Sequence, residues 1–408
     1  MKNEKRFRID NLNIGTYYLA PYARTEAHIK DAAECGIDFF VNIPNDAALL
    51  KQLHQYNIGA IVTGVFPSWF GGDGSNAGQL AIKNPLSLYQ NAITGFTDAP
   101  NVLGIDTGDE PSCLEFPHYG KIFTYTQEKL PHIQPYLNIY PCYAVKGSNT
   151  DVEIHNQLRC DTYIDYIESY CKHVPSDYIC FDYYLYSASL TGLYNSLITV
   201  TNACRKYQRK FYMVLQVNSH EPDIWISTNK LRFQAFTAMA FGVDTIIWAC
   251  YTAGWWYHHV LDENGKKTEQ YDKLKKVNSE IHFLGEHYKK YHSRETHFLG
   301  NHSVEEITCE KSFSTDFVQH LQSEHQEALL VNILDSDASH ALFICAANDC
   351  YDKHPDAFHI TFESPNYDVI LFKNETSHSL LSDSNGSFTF EMLPNEGALL
   401  TFVSSKEP

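Results

Sequence analysis

The chain has 408 residues, 44% of them hydrophobic and 20% charged, ordinary proportions for a globular protein that exclude wholesale disorder. Its formal charge of −18, from 31 basic and 49 acidic residues, argues against nucleic-acid or anionic-membrane partners, because phosphate-rich surfaces attract basic ones. Aromatic content is high at 14%, with 27 Tyr and 24 Phe, which suits a large core and also a site that stacks flat ligands.

The opening stretch MKNEKRFRIDNLNIG is charged and lacks the apolar segment of a signal peptide. No apolar run reaches the roughly 18 residues of a membrane span. The eleven cysteines have no regular spacing and form no C-x-x-C pair, so reduced structural thiols in a cytoplasmic protein are the expectation. From residue 13 onward, strands alternate with helices. Strands are expected at 13–20, 37–43, 58–65, 101–107, 135–141, 178–185, 210–217 and 243–250, most of them near-continuous runs of Val, Ile, Tyr and Phe, as strands covered on both faces should be. Between them, Thr25 and Asp46 stand as helix caps, Asn84-Pro85 opens another helix, and LRFQAFTAMAF stops at Gly242.

Eight such strands predict a (β/α)8 TIM barrel over residues 1–295, with a doubly wound open sheet as the structural alternative. The glycine-rich GGDGSNAG at 71–78 follows the third strand rather than the first; it reads as a loop over a site, not as a dinucleotide fingerprint. A helix over about 268–290 closes the barrel. Short strands such as ALLVNIL, HALFICAA, FHITFE and SFTFEM then predict an antiparallel β-sandwich over 296–408.

In a barrel, reacting groups come from strand C-termini and the loops that follow. The fourth strand ends IDTGDEPS, with Asp106, Asp109 and Glu110; the fifth carries Asn138 and Tyr140. The sixth ends FDYYLYS, with Asp182 and Tyr183, and the seventh LQVNSHEPD, with Gln216, Asn218, His220 and Glu221. The eighth brings Trp248, Tyr251, Trp255 and Trp256, and Trp69 follows the third. Indole faces pack against sugar C–H faces while amides and carboxylates bind hydroxyls, so this mouth suits a neutral polyhydroxylated ligand. Glycosidic cleavage needs two carboxyl groups, one protonated and one ionised. Glu110 fits the acid, because aromatic neighbours and the charges of Asp106 and Asp109 favour its protonated form.

The segments GDEP, YLNIYP, FDYY and LRFQAFTAMAFGVDTIIWACYTAG resemble clan A glycoside hydrolases, and most of all the bacterial "DEP" proteins described as β-galactosidase-like. The resemblance covers about residues 10–290 and implies an acid/base after the fourth strand, where Glu110 stands. It also implies a glutamate nucleophile at the end of the seventh strand, where this chain has Gln216. Asp182 is therefore the first choice of second carboxylate, with Glu221 next and Asp106 or Asp109 behind.

The expected function is a glycosidase acting on a small glycoside or oligosaccharide, with Glu110 and Asp182 catalytic. Asp109, Asn138, Tyr183, Gln216, Asn218, Glu221, Trp69, Trp248, Tyr251, Trp255 and Trp256 would bind the substrate. A carbohydrate-binding barrel without hydrolysis, and a sugar lyase or transglycosidase, remain the alternatives. No cofactor or metal is expected, since His258-His259 lacks a third ligand at a recognised spacing. Homo-oligomerisation is compatible with this reading and is not required by it.

Overall fold

The computed structural model describes residues 10–71, 76–145, 157–252, 254–337, 339–351 and 356–404. Part of the glycine-rich stretch (72–75), the first nine residues and the last four lie outside the described residues.

Eight strands form one parallel sheet: β1 (Asn13–Tyr17), β2 (Phe39–Pro44), β3 (Gly59–Thr63), β4 (Val102–Asp109), β5 (Gln134–Asn138), β6 (Tyr178–Tyr183), β7 (Lys210–Gln216) and β8 (Thr245–Ala249). Each coincides with an expected strand. Helices alternate with them: α1 (Glu26–Glu34), α2 (Ala47–Gln55), α3 (Leu80–Lys83), α4 (Leu86–Ala92), α5 (Phe116–Lys129), α6 (Tyr163–His173), α7 (Leu190–Tyr207), α8 (Thr228–Ala240) and α9 (Glu269–Tyr288). Capping fixes several starts. Thr25 accepts from the His28 amide, Asp46 from Leu49, Ser189 from Gly192 and Ser227 from Lys230, each satisfying an amide that the first helical turn leaves without a partner.

The sheet runs β5-β4-β3-β2-β1-β8-β7-β6, with β1 paired to both β2 and β8. Its two ends meet through the Ile139↔Phe181 bridge, where the Ile139 amide donates to the Cys180 carbonyl at 2.9 Å. The chain is thus a TIM barrel followed by antiparallel sheets. Side chains of alternate residues fill the barrel interior, among them Phe39, Val41, Tyr136, Tyr178, Cys180 and Tyr212, as the two-residue period of strands requires.

The chain divides into two compact units. One holds Asn13–Ile224 and Asp244–Tyr271, and the other holds Trp225–Val243 with everything from Asp272 onward. The second unit contains α8, α9 and two antiparallel sheets. The six-stranded sheet has the order β15 (Thr376–Ser379), β14 (Tyr367–Lys373), β17 (Gly397–Ser404), β12 (His340–Ala346), β11 (Leu329–Asp335), β9 (His292–Leu299). The three-stranded sheet is β10 (Gln319–Ser323), β13 (Phe358–Glu363), β16 (Ser387–Met392). The expected boundary at residue 295 falls within β9. Leu342 and Ile344 face the sandwich core, while Phe343 between them meets Phe236 of α8 and Tyr288 of α9 on the opposite face. Arg232 and Glu280, both buried, join α8 to α9 through two hydrogen bonds of 2.9 and 2.6 Å. Strands β9, β10 and β15 escape the sequence pattern because they lie at sheet edges and are largely polar.

Candidate active site

The end of β4 departs from regular strand geometry. Its pairing with β5 shifts register between Asp106 and Gly108, and a shift of this kind re-aims the side chains that follow. Gly108 has φ +142°, and a Cβ there would lie 2.2 Å from the Tyr119 hydroxyl and 2.9 Å from the Trp69 carbonyl, so only glycine fits. Glu110 follows with φ +45°, a left-handed conformation that costs a non-glycine residue energy. Hydrogen bonds on two sides hold it. The Asp109 amide donates to the Trp69 carbonyl at 2.9 Å, the Gly71 amide to the Asp109 carbonyl at 2.8 Å, and the Glu110 amide to the Asn138 carbonyl at 2.9 Å.

Asn138, at the end of β5, is the hub. Its Nδ2 donates to Asp182 Oδ1 at 2.7 Å and lies 3.1 Å from Asp109 Oδ1. Asp182, on β6, is also hydrogen-bonded to the Glu110 carboxyl. Two carboxyl groups bond in this way only when one of them carries a proton. Burial, then the charge of Asp109, pushes Asp182 up to about 7. Burial likewise pushes Asp109 up to about 6, and Asp106 to about 7 against the opposing hydrogen bond from the Gly108 amide. Asp106, Asp109 and Asp182 are therefore each held well above the ordinary carboxylate range, chiefly by burial.

Aromatic groups surround these acids. Tyr184 stands next to the Asp182–Tyr183 pair and feels the charges of both Asp182 and Glu110; its ring meets Trp256 edge-on at 4.5 Å. His220 lies 4.1 Å from the same indole, and its buried Nε2 has no partner among the described residues. Trp255 is 38% exposed and sits 6.2 Å from Tyr17. The hydroxyl of Tyr17, influenced by Asp109, lies 2.7 Å from that of Tyr136. Tyr17, Tyr136 and Tyr184 extend the expected set, as does Tyr143, which feels the charges of Asp182 and Glu110; His220, read at the end of the seventh strand, joins them. The signal for Tyr136 and Tyr184 was period-two alternation, since they share the inward parity of Asn138 and Asp182.

The other expected residues have varied surroundings. Gln216 is fully buried and accepts a hydrogen bond from the Tyr186 amide at 3.0 Å. Asn218 accepts from the Cys250 amide and donates to the His258 carbonyl, which ties β7 to the chain beyond β8. Tyr183 donates to the Ser189 carbonyl at 2.6 Å, at the start of α7. Glu221 is exposed. Trp248 is fully buried, with parity opposite to the inward Ile247 and Ala249. Tyr251 is fully buried against Phe40. Trp69 is 8% exposed, and its carbonyl anchors Asp109. The fifth indole, Trp225, belongs to the second unit, where Lys273 lies over its ring. Among the described residues no cluster of three or more His, Cys, Asp or Glu could hold a metal ion, and no helix is long and apolar enough to cross a membrane.

No family model and no curated protein matches the chain. Solved structures resemble it in fold. A cycloisomaltooligosaccharide glucanotransferase from Paenibacillus sp., complexed with cycloisomaltoheptaose, has a TM-score of 0.56 and 9% identity, over 97% of this chain and 85% of its own. A family 5 glycoside hydrolase mannosidase from Rhizomucor miehei has a TM-score of 0.48 and 11% identity, over 68% of this chain and 94% of its own. Xylanase 10B from Thermotoga petrophila has a TM-score of 0.43 and 15% identity, over 68% of this chain and 98% of its own. At these identities the likeness is one of architecture alone, and it rests on the glucanotransferase.

Proposed function

We propose that the chain is a glycoside hydrolase of the clan A type, acting on a small glycoside or oligosaccharide. The observation that carries this reading is the hydrogen-bonded carboxyl pair Glu110–Asp182 at the ends of β4 and β6. Such a pair supplies one proton donor and one ionised group, the two roles that glycosidic cleavage needs. On binding, the glycosidic oxygen would replace Asp182 as acceptor of the Glu110 proton. Asp182, released ionised, would then attack the anomeric carbon or activate a water. Tyr184, Trp255 and Trp256 would offer faces to the sugar ring, and His220 and Asn138 would offer polar atoms. The sequence likeness to the bacterial "DEP" proteins supports the same reading, with imported small glycosides in a bacterial cytoplasm as substrates.

The test is turnover of a panel of aryl glycosides by wild type, Glu110→Gln and Asp182→Asn. Both variants should lose activity on poorly activated substrates; wild-type rates from both would remove the pair from the mechanism. A second reading, a carbohydrate-binding barrel without hydrolysis, is favoured by one observation. Gln216 stands where clan A enzymes carry the nucleophile, and its amide oxygen is already engaged by the Tyr186 amide. Sugar binding by calorimetry with no turnover across the panel would establish that reading instead.

A further inference from the structure

Two thiols lie against each other beside the candidate site. Cys113 follows Glu110 in the loop between β4 and α5, and Cys160 lies in the segment leading into α6. The two side chains are hydrogen-bonded to each other, and both are half-buried rather than sealed in the core. The backbone fixes their approach. The Cys113 amide donates to the Leu158 carbonyl at 2.9 Å, and Cys113 Sγ lies 3.0 Å from the Arg159 carbonyl, next to Cys160. Cys160 Sγ is 3.5 Å from the Thr162 carbonyl, at the cap of α6. The remaining cysteines are thiols as well.

We propose that Cys113 and Cys160 form a reversible disulfide by exchange with a small-molecule disulfide, tying the Glu110 loop to the segment before α6. The hydrogen bond from Cys160 holds the Cys113 thiol below its ordinary range, which makes Cys113 the attacking group, while Cys160 is raised. The Cys113 sulfur attacks one sulfur of the small disulfide, and the displaced thiolate takes up the proton that Cys113 loses. Cys160 then attacks the Cys113 sulfur of the mixed disulfide and gives its proton to the second departing thiolate. The protein dithiol is oxidised by two electrons, and the small disulfide is reduced to two thiols.

The experiment incubates the reduced full chain with oxidised glutathione, quenches in acid, alkylates under denaturing conditions and maps the peptides without reduction. The Cys113 and Cys160 peptides should be recovered cross-linked, and dithiothreitol should release them. Cys160→Ser should stop at a glutathione adduct on Cys113. Amide hydrogen exchange over residues 111–116 should slow several-fold in the oxidised chain. Glutathione on the exposed Cys350 with Cys113 and Cys160 still alkylated would overturn the proposal, as would a stable adduct on wild-type Cys113 that Cys160 never resolves. The wild-type map decides the matter even if a variant misfolds, and its readout is independent of glycosidase activity.

Discussion

Asn138 donates to Asp182 across 2.7 Å, and the same amide nitrogen lies 3.1 Å from Asp109. One neutral side chain thus ties a buried acid on β6 and a half-buried acid on β4, the strands on either side of its own, and Asp182 also bonds the Glu110 carboxyl. Asn138→Ala removes the donor without adding charge. Asp109 and Asp182 would then face each other without a shared amide, so turnover should fall and the pH dependence should move upward. Measuring kcat/KM against pH for the variant checks both.

Glu110→Gln keeps the shape and deletes the proton. Loss of a general acid slows chemistry by about 10²–10⁴-fold, and less where the leaving group is already acidic. The slope of log kcat against leaving-group pKa should therefore steepen in the variant, which separates loss of the acid from a general loss of folding.

The raised acids also set a stability profile. Asp182 and Asp106 bind protons up to about pH 7 and Asp109 up to about 6 in the fold, against an ordinary 3.8. The folded state therefore holds more protons than the unfolded chain between these values. Their contribution is fully present below about pH 4 and is lost as the pH rises through about 6–7, an effect on the order of a few kcal/mol. Thermal melts should be higher at pH 5 than at pH 8, and Asp182→Asn should narrow that gap.

Gly108→Ala places a methyl group against the Tyr119 hydroxyl and the Trp69 carbonyl at a φ of +142°. The strain and overlap should cost about 1–3 kcal/mol or more in denaturant melts. The Gly108→Ala, Tyr119→Phe double variant should recover part of this and no more, because the Trp69 backbone contact remains.

Arg232→Met leaves the buried Glu280 carboxylate without its guanidinium, a loss of about 3–5 kcal/mol. Replacing both residues by apolar ones should cost much less. Urea titration of the single and double variants tests this.

The barrel was legible because its strands are covered on both faces and read as continuous apolar runs, and because Thr25, Asp46 and Gly242 punctuate the helices. Glu110 and Asp182 stood out as acids at strand ends. The hub role of Asn138 was hidden, since an amide gives no hint of which acids it will reach across two strands. Trp248 and Tyr251 were misleading for a related reason. An aromatic near a strand end faces the mouth or the helices according to parity, and a one-residue change reverses the choice. Tyr17 went unnoticed because it lies on β1, far in sequence from the acids it approaches.

The Ile139↔Phe181 bridge is where β5 and β6 close the cylinder, with a thin backbone ladder, and Asn138 and Asp182 are the residues just before and just after it in the two strands. The same bond that orients an acid therefore also rivets the last stave to the first. Loosening it for chemistry loosens the hoop, so amide exchange at Ile139 should report on occupancy of the pocket as sensitively as any residue that touches a sugar.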